Sequence, residues 1–223
     1  LNGLGFTGEH LHIVGADDAR ALDAVLRAAP AQSVSQAATF NVQADKRATL
    51  DLAIDHLMNC AGAAPDVIEL PAHGDRLGSP FGSLVVKTDR CTMCLSCVGA
   101  CPAGALADNP DRPQLRFIEK NCVQCGLCVV TCPEDAIALQ PRLLLADAGK
   151  ARKQSRVLHE VEPYRCIRCS KPFGTLTAIE AMMAKLSGHA MFQGAAADRL
   201  KMCGDCRVID LHSNPNEIRI TDL

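Results

Sequence analysis

Eight cysteines in two runs of identical spacing constrain this chain more than any other feature. Cys91, Cys94, Cys97 and Cys101 are followed by Pro102, and Cys122, Cys125, Cys128 and Cys132 by Pro133. Both runs read C-x2-C-x2-C-x3-C-P. That is iron–sulfur spacing, in which three cysteines wrap one cube and the fourth serves the other cube. The expected ligand sets are therefore crossed. Cys91, Cys94, Cys97 and Cys132 form one, and Cys122, Cys125, Cys128 and Cys101 the other. A cube offers irons at tetrahedral corners, so cysteines two residues apart let one short loop reach three of them. Backbone N–H groups of the loop can then hydrogen-bond the sulfurs. A pair of zinc sites is the weaker alternative, because a three-cysteine loop overfills a zinc motif.

The runs belong to an internal repeat with a period of 31 residues. Each follows a strand-like stretch, Leu84 to Lys87 and Leu115 to Ile118, and each precedes an apolar pair, Ala105-Leu106 and Ala136-Ile137. The segment from Asp108 to Pro113 is turn chemistry. Two copies of one unit predict a pseudo-twofold domain. Radical chemistry on S-adenosylmethionine would need one iron left open, whereas each cube here has four thiolates available. No catalytic residue is identifiable, so whether the chain is an enzyme stays open.

Residues 84–140 resemble a bacterial-type ferredoxin domain with two 4Fe-4S clusters. The resemblance implies low-potential one-electron carriage, either as a free carrier or as a module of a larger oxidoreductase. It also implies redox proteins as electron donor and acceptor. The whole chain resembles the C-terminal part of longer 4Fe-4S binding proteins, which tend to be encoded near molybdenum- or tungsten-dependent formate dehydrogenases. Two rivals remain: an accessory or assembly protein whose clusters are structural, and a redox sensor whose clusters are labile.

Four further cysteines form two C-x2-C pairs, Cys166/Cys169 and Cys203/Cys206. Paired knuckles make a tetrahedral four-thiolate site, and structural zinc is the expected occupant. A third cluster, a single iron or a redox dithiol are the alternatives.

The fold class expected is α+β, in three parts. Residues 1–79 read as a small α/β segment, residues 83–145 as the dicluster ferredoxin-like domain, and residues 157–223 as a zinc-ribbon-like segment. In the first part His10 to Val14 reads as a strand, and Asp17 or Asp18 caps a helix with Leu22, Val25, Leu26 and Ala29 on its apolar face. A second helix starts near Asp45, with Leu50, Ile54, Leu57, Met58 and Ala61 inward. Val67 to Leu70 reads as a weak strand. Pro71 to Gly82 and the basic run 150–156 read as linkers, Thr175 to Leu186 as a helix, and Glu217 to Thr221 as an edge strand.

Three weaker motifs favour bland readings. Gly3 to Gly8 matches G-x-G-x-x-G but lacks a preceding strand, so it is a glycine loop rather than a dinucleotide site. His10 and His12 lack a third ligand. Cys60 reads as a small buried hydrophobe.

Composition narrows the classes. Hydrophobic residues make up 48% of the 223 residues but aromatics only 3%, with thirteen cysteines. So few rings suit a core organised around metals, which supply folding free energy themselves. A secreted disulfide scaffold is disfavoured because twelve of the thirteen cysteines fall in metal-type spacings. The formal charge of -2 becomes more negative once thiolate clusters are loaded, which argues against a nucleic-acid partner. There is no signal peptide or apolar run long enough to span a bilayer, so a reducing cytoplasm is the expected compartment.

Overall fold

The computed structural model describes residues 1–28, 31–41, 43–72 and 78–214. The chain divides into two compact units, each built from two separate stretches. The first comprises Leu1–Gly82 and Pro141–Gln154, the second Ser83–Gln140 and the chain from Ser155 onward.

The first unit holds helices α1 (Ala19–Arg27) and α2 (Lys46–Cys60), strand β1 (Val67–Glu69) and the second half of a long strand completed below. Both helices begin at aspartates, as the sequence predicts. Asp18 accepts from the Ala21 N–H, and Asp45 accepts from those of Arg47 and Ala48. These bonds satisfy donors that the first helical turn leaves open. Leu4, Phe6, Ile54 and Leu145 form the core, flanked by Leu57, Met58, Ile68, Phe81 and Leu143.

Three expectations for this unit need correction. Residues 10–14 form no strand, and Ile13 is 92% exposed; among the described residues no strand pairs with them. On α2, Leu50 is 40% exposed while Asp51 is only 5% exposed, so the buried stripe is rotated from the apolar one. The cause is Arg152, expected in a solvated linker but 2% exposed. It sits in a 3-10 turn, Ala151–Lys153, with its Nε 3.6 Å from Asp51 and its Nη2 2.6 Å from Asp55. Lys153 pairs with the same Asp55 carboxylate. Ala29, Pro30 and residues 73–77 of the expected linker lie outside the described residues.

The second unit follows the repeat. Strand β2 (Gly82–Val86), helix α3 (Ser96–Gly99) and strand β3 (Leu106–Ala107) belong to the first copy. Strand β4 (Gln114–Ile118), helix α4 (Leu127–Thr131) and strand β5 (Ile137–Leu144) belong to the second. Strand β6 (Ser155–Glu160) pairs antiparallel with β4, which pairs on its other side with β3, Leu106 facing Phe117. The second half of β5 pairs antiparallel with β1, Val67 facing Leu144. The copies exchange equivalent backbone bonds: Lys87 N–H donates to Ala136 O at 2.8 Å, and Ile118 N–H to Ala105 O at 2.9 Å. Phe117, Leu115, Leu84, Leu106 and Ile137 are buried together with the cysteine loops.

Beyond β6 come a hairpin of β7 (Pro163–Arg165) and β8 (Pro172–Thr175), then α5 (Leu176–Leu186), α6 (Ala195–Arg199) and α7 (Gly204–Ser213). Short helices with small antiparallel sheets make the fold α+β. The edge strand expected at 217–221 lies outside the described residues.

Candidate metal centres

The loops of the two cysteine runs share one backbone shape. Met93 and Gln124, one repeat apart, have φ of 54° and 55°. Leu95 and Gly126 follow at 60° and 79°, then Gly104 and Asp135 at 59° and 45°. Left-handed residues at these places turn successive N–H groups to one side of the loop, the arrangement that makes a nest for anionic sulfur. The fourth cysteines match as well: Cys101 Sγ accepts from Ala105 N–H and Cys132 Sγ from Ala136 N–H, both at 3.3 Å.

The eight cysteines divide between two small cavities of about 20 Å³ each. Cys91, Cys94, Cys97 and Cys132 line the first; Cys101, Cys122, Cys125 and Cys128 line the second. Each cavity thus takes three cysteines from one copy and the last from the other. Burial and the charges of neighbouring sulfurs push the Cys97 thiol up to about 12 and the Cys128 thiol up to about 11. Thiols raised this far do not ionise together unless a cationic core lies among them. Four sulfurs gathered around one cavity therefore suit an iron–sulfur cube, which supplies that positive charge and carries one electron when bound.

The third set is smaller. The sulfurs of Cys166, Cys169, Cys203 and Cys206 all lie within 4.8 Å of one another, and those of Cys169 and Cys203 are 3.7 Å apart. The first pair flanks the β7–β8 turn, where the Cys166 N–H donates to Lys171 O; the second opens α7. A tetrahedral zinc–sulfur site with bonds near 2.3 Å has sulfur–sulfur edges of about 3.8 Å. A cube needs its thiolates farther apart, because iron atoms stand between them. The sulfur spacing therefore suits one tetrahedral ion. Cys166, although burial opposes its ionisation, is drawn down to about 6 by N–H groups of Cys169, Cys203 and Arg168.

Comparison with known families agrees with this geometry. Residues 90–137 match one family described as a 4Fe-4S dicluster domain, and residues 121–173 match a second of the same description. The chain carries a 4Fe-4S dicluster domain. Both matches to that domain share the second cysteine run, and the second extends over Cys166 and Cys169. No curated protein matches the chain. Among the described residues, no helix is long and apolar enough to cross a membrane.

The remaining sequence candidates gather no site. The glycine-rich start forms a 3-10 turn, Asn2–Leu4. His12 lies 3.5 Å from Glu9, and among the described residues neither His10 nor His12 joins a cluster of three metal-ligating groups. Cys60 is half-buried, its sulfur 3.5 Å from His56 Nε2.

Sequence reasoning missed the residues that surround the dicluster domain's cavities. Gln124 donates from Nε2 to the Cys122 sulfur at 3.3 Å and to Ser83 O at 3.0 Å. Glu134 lines the first cavity and pairs with Lys185 of α5 at 3.0 Å. Thr175 and Thr177 donate their hydroxyls to Thr92 O, at 3.2 and 3.3 Å, fastening the start of α5 to the first loop. Superposing the two copies of the repeat would have flagged Gln124 and Glu134, since they stand opposite Met93 and Ala103. Nothing local marks the threonines.

Proposed function

We propose that this chain transfers electrons between redox proteins through two 4Fe-4S clusters, as a carrier or as a module of a larger oxidoreductase. Cys91, Cys94, Cys97 and Cys132 hold the first cluster; Cys122, Cys125, Cys128 and Cys101 hold the second. One observation carries the reading: the eight cysteines divide into two crossed sets around cavities of nearly equal size. Cys94 and Cys125 are exposed, which brings each cluster within tunnelling reach of a docked partner. A purely structural staple would need one set, not two joined into a path. The cytoplasm is the compartment that suits so many reduced thiols. A formate dehydrogenase is the partner to try first, on the strength of the sequence resemblance.

In the same proposal Cys166, Cys169, Cys203 and Cys206 hold a structural zinc ion, supported by the sulfur spacing. The family match extending over Cys166 and Cys169 favours the second reading, an iron-containing third site.

The test is metal analysis of anaerobically purified protein, followed by a potentiometric titration monitored by EPR. About eight irons and one zinc per chain, with two reversible low-potential reductions and mutually broadened spectra, are expected. About twelve irons would replace zinc by a third cluster. Clusters that resist reduction, or break down in one cycle, would move the function to the assembly or sensing role.

A further inference from the structure

We infer that the two halves of the domain are built unequal, so that the second cluster is the easier to reduce and electrons pass from the first set's cluster to the second's. This rests on the two-cluster reading above. The repeat supplies an internal control, because backbone and ligands match and only the surrounding side chains differ.

The first difference is Met93 against Gln124. Both are buried, 3% and 1% exposed, and both occupy the same left-handed position. Gln124 gives the Cys122 sulfur a side-chain N–H donor, whereas the thioether at Met93 has no N–H to give. A donor to a ligand sulfur stabilises the more negative, reduced state. The amide is held in that orientation. Its Nε2 also donates to Ser83 O, and the Ser83 hydroxyl in turn accepts from Arg156 Nη2 at 2.5 Å. A flipped amide would set its carbonyl against both the Ser83 carbonyl and the sulfur.

The second difference is charge. Among the described residues, Glu134 is the one charged residue lining the first cavity; its counterpart by the repeat, Ala103, lines the second, where no described lining residue is charged. A carboxylate beside a site about to gain an electron disfavours that gain. Its partner Lys185 lies in the outer groove formed with α5 and does not line the cavity, so it offsets the effect only in part.

The third difference is cover. Ala178, Ala181 and Met182 of α5 line one groove with Thr92, Cys94 and Glu134 of the first half. Thr92 is half-buried beside that helix, whereas its counterpart Val123 is 42% exposed. Apolar cover lowers the local dielectric and penalises added negative charge.

Two contacts oppose these three. Ser96 Oγ lies 3.4 Å from the Cys94 sulfur and the Thr92 side chain also hydrogen-bonds it, where the second copy has Leu127 and Val123. Cys94 is exposed, so water can donate there equally well, whereas the Gln124 bond is buried and stronger for it. In the transfer itself one electron leaves the first site, which is oxidised, and arrives at the second, which is reduced. No bond forms or breaks, and no proton moves.

The experiment is an EPR-monitored titration, with dithionite as the one-electron donor, on the full chain and on M93Q, Q124M and E134Q. Metal content is read first: fewer than about eight irons in the parent protein would defeat the two-cluster reading itself. With both clusters present, two separate midpoints are expected. Gln124→Met should lower the upper midpoint alone, while Met93→Gln and Glu134→Gln should each raise the lower one alone. Glu134→Gln preserves shape, so it reports even where a loop variant fails to assemble. Coincident midpoints in the parent protein, or a Gln124→Met change that moves the lower midpoint or neither, would overturn the inference.

Discussion

Arg152 carries a full charge into the interior of the first unit and is held there by carboxylates on α2. Removing one member of a buried ionic group leaves the others facing an apolar surround. Arg152→Met should therefore cost about 3–5 kcal/mol, read as a lower urea midpoint for the first unit. The Asp55 carboxyl feels burial, which pushes it up, but bonds and charges from Lys153 and Arg152 outweigh this and hold it below its ordinary 3.8. A depressed folded value means stability that is present above the ordinary value and lost as pH falls through the depressed one. Below about pH 4, amides of α2 should thus gain exchange faster in the parent protein than in Asp55→Asn, after correction for intrinsic rates. None of this was legible in the sequence. A run of Lys, Arg and Gln reads as solvated, and the carboxylate that draws Arg152 inward lies 97 residues away.

Among the elements, the cysteine loops were the most legible, because metal geometry dictates spacing directly. Their left-handed residues were less so. The repeat fills one such position with Leu95 and the other with Gly126. A Cβ at Gly126 would meet only Leu139, at 3.9 Å, so Gly126→Ala tests conformation rather than crowding. It should cost about 1–2 kcal/mol with both clusters retained, and Leu95→Gly should bring a smaller gain or none. Helix α5 was foreseen from its periodicity, but its role was not. Thr175 caps it through the Ala178 N–H while also reaching Thr92. Capping belongs to local sequence, whereas the second bond depends on a loop 83 residues earlier. The strand expected at 10–14 failed for the converse reason: alternation marks a candidate, but a strand needs an edge to join.

At the scale of the whole molecule, the metal sites should respond separately. On the proposed zinc site, Cys203→Ser should abolish zinc binding and open residues 163–214 to limited proteolysis, while about eight irons stay bound. Loss of iron along with zinc would mean that the third site supports the clusters themselves. The two units also interleave along the chain: the first is begun before residue 83 and completed only at 141–154, and the second is resumed at Ser155. Leu143, Leu145 and Arg152 are the late arrivals that complete the first core. During synthesis, then, the N-terminal helices must wait unfinished while both cysteine runs leave the ribosome. Both cysteine runs are therefore complete in the chain before the first unit has the residues it needs to close.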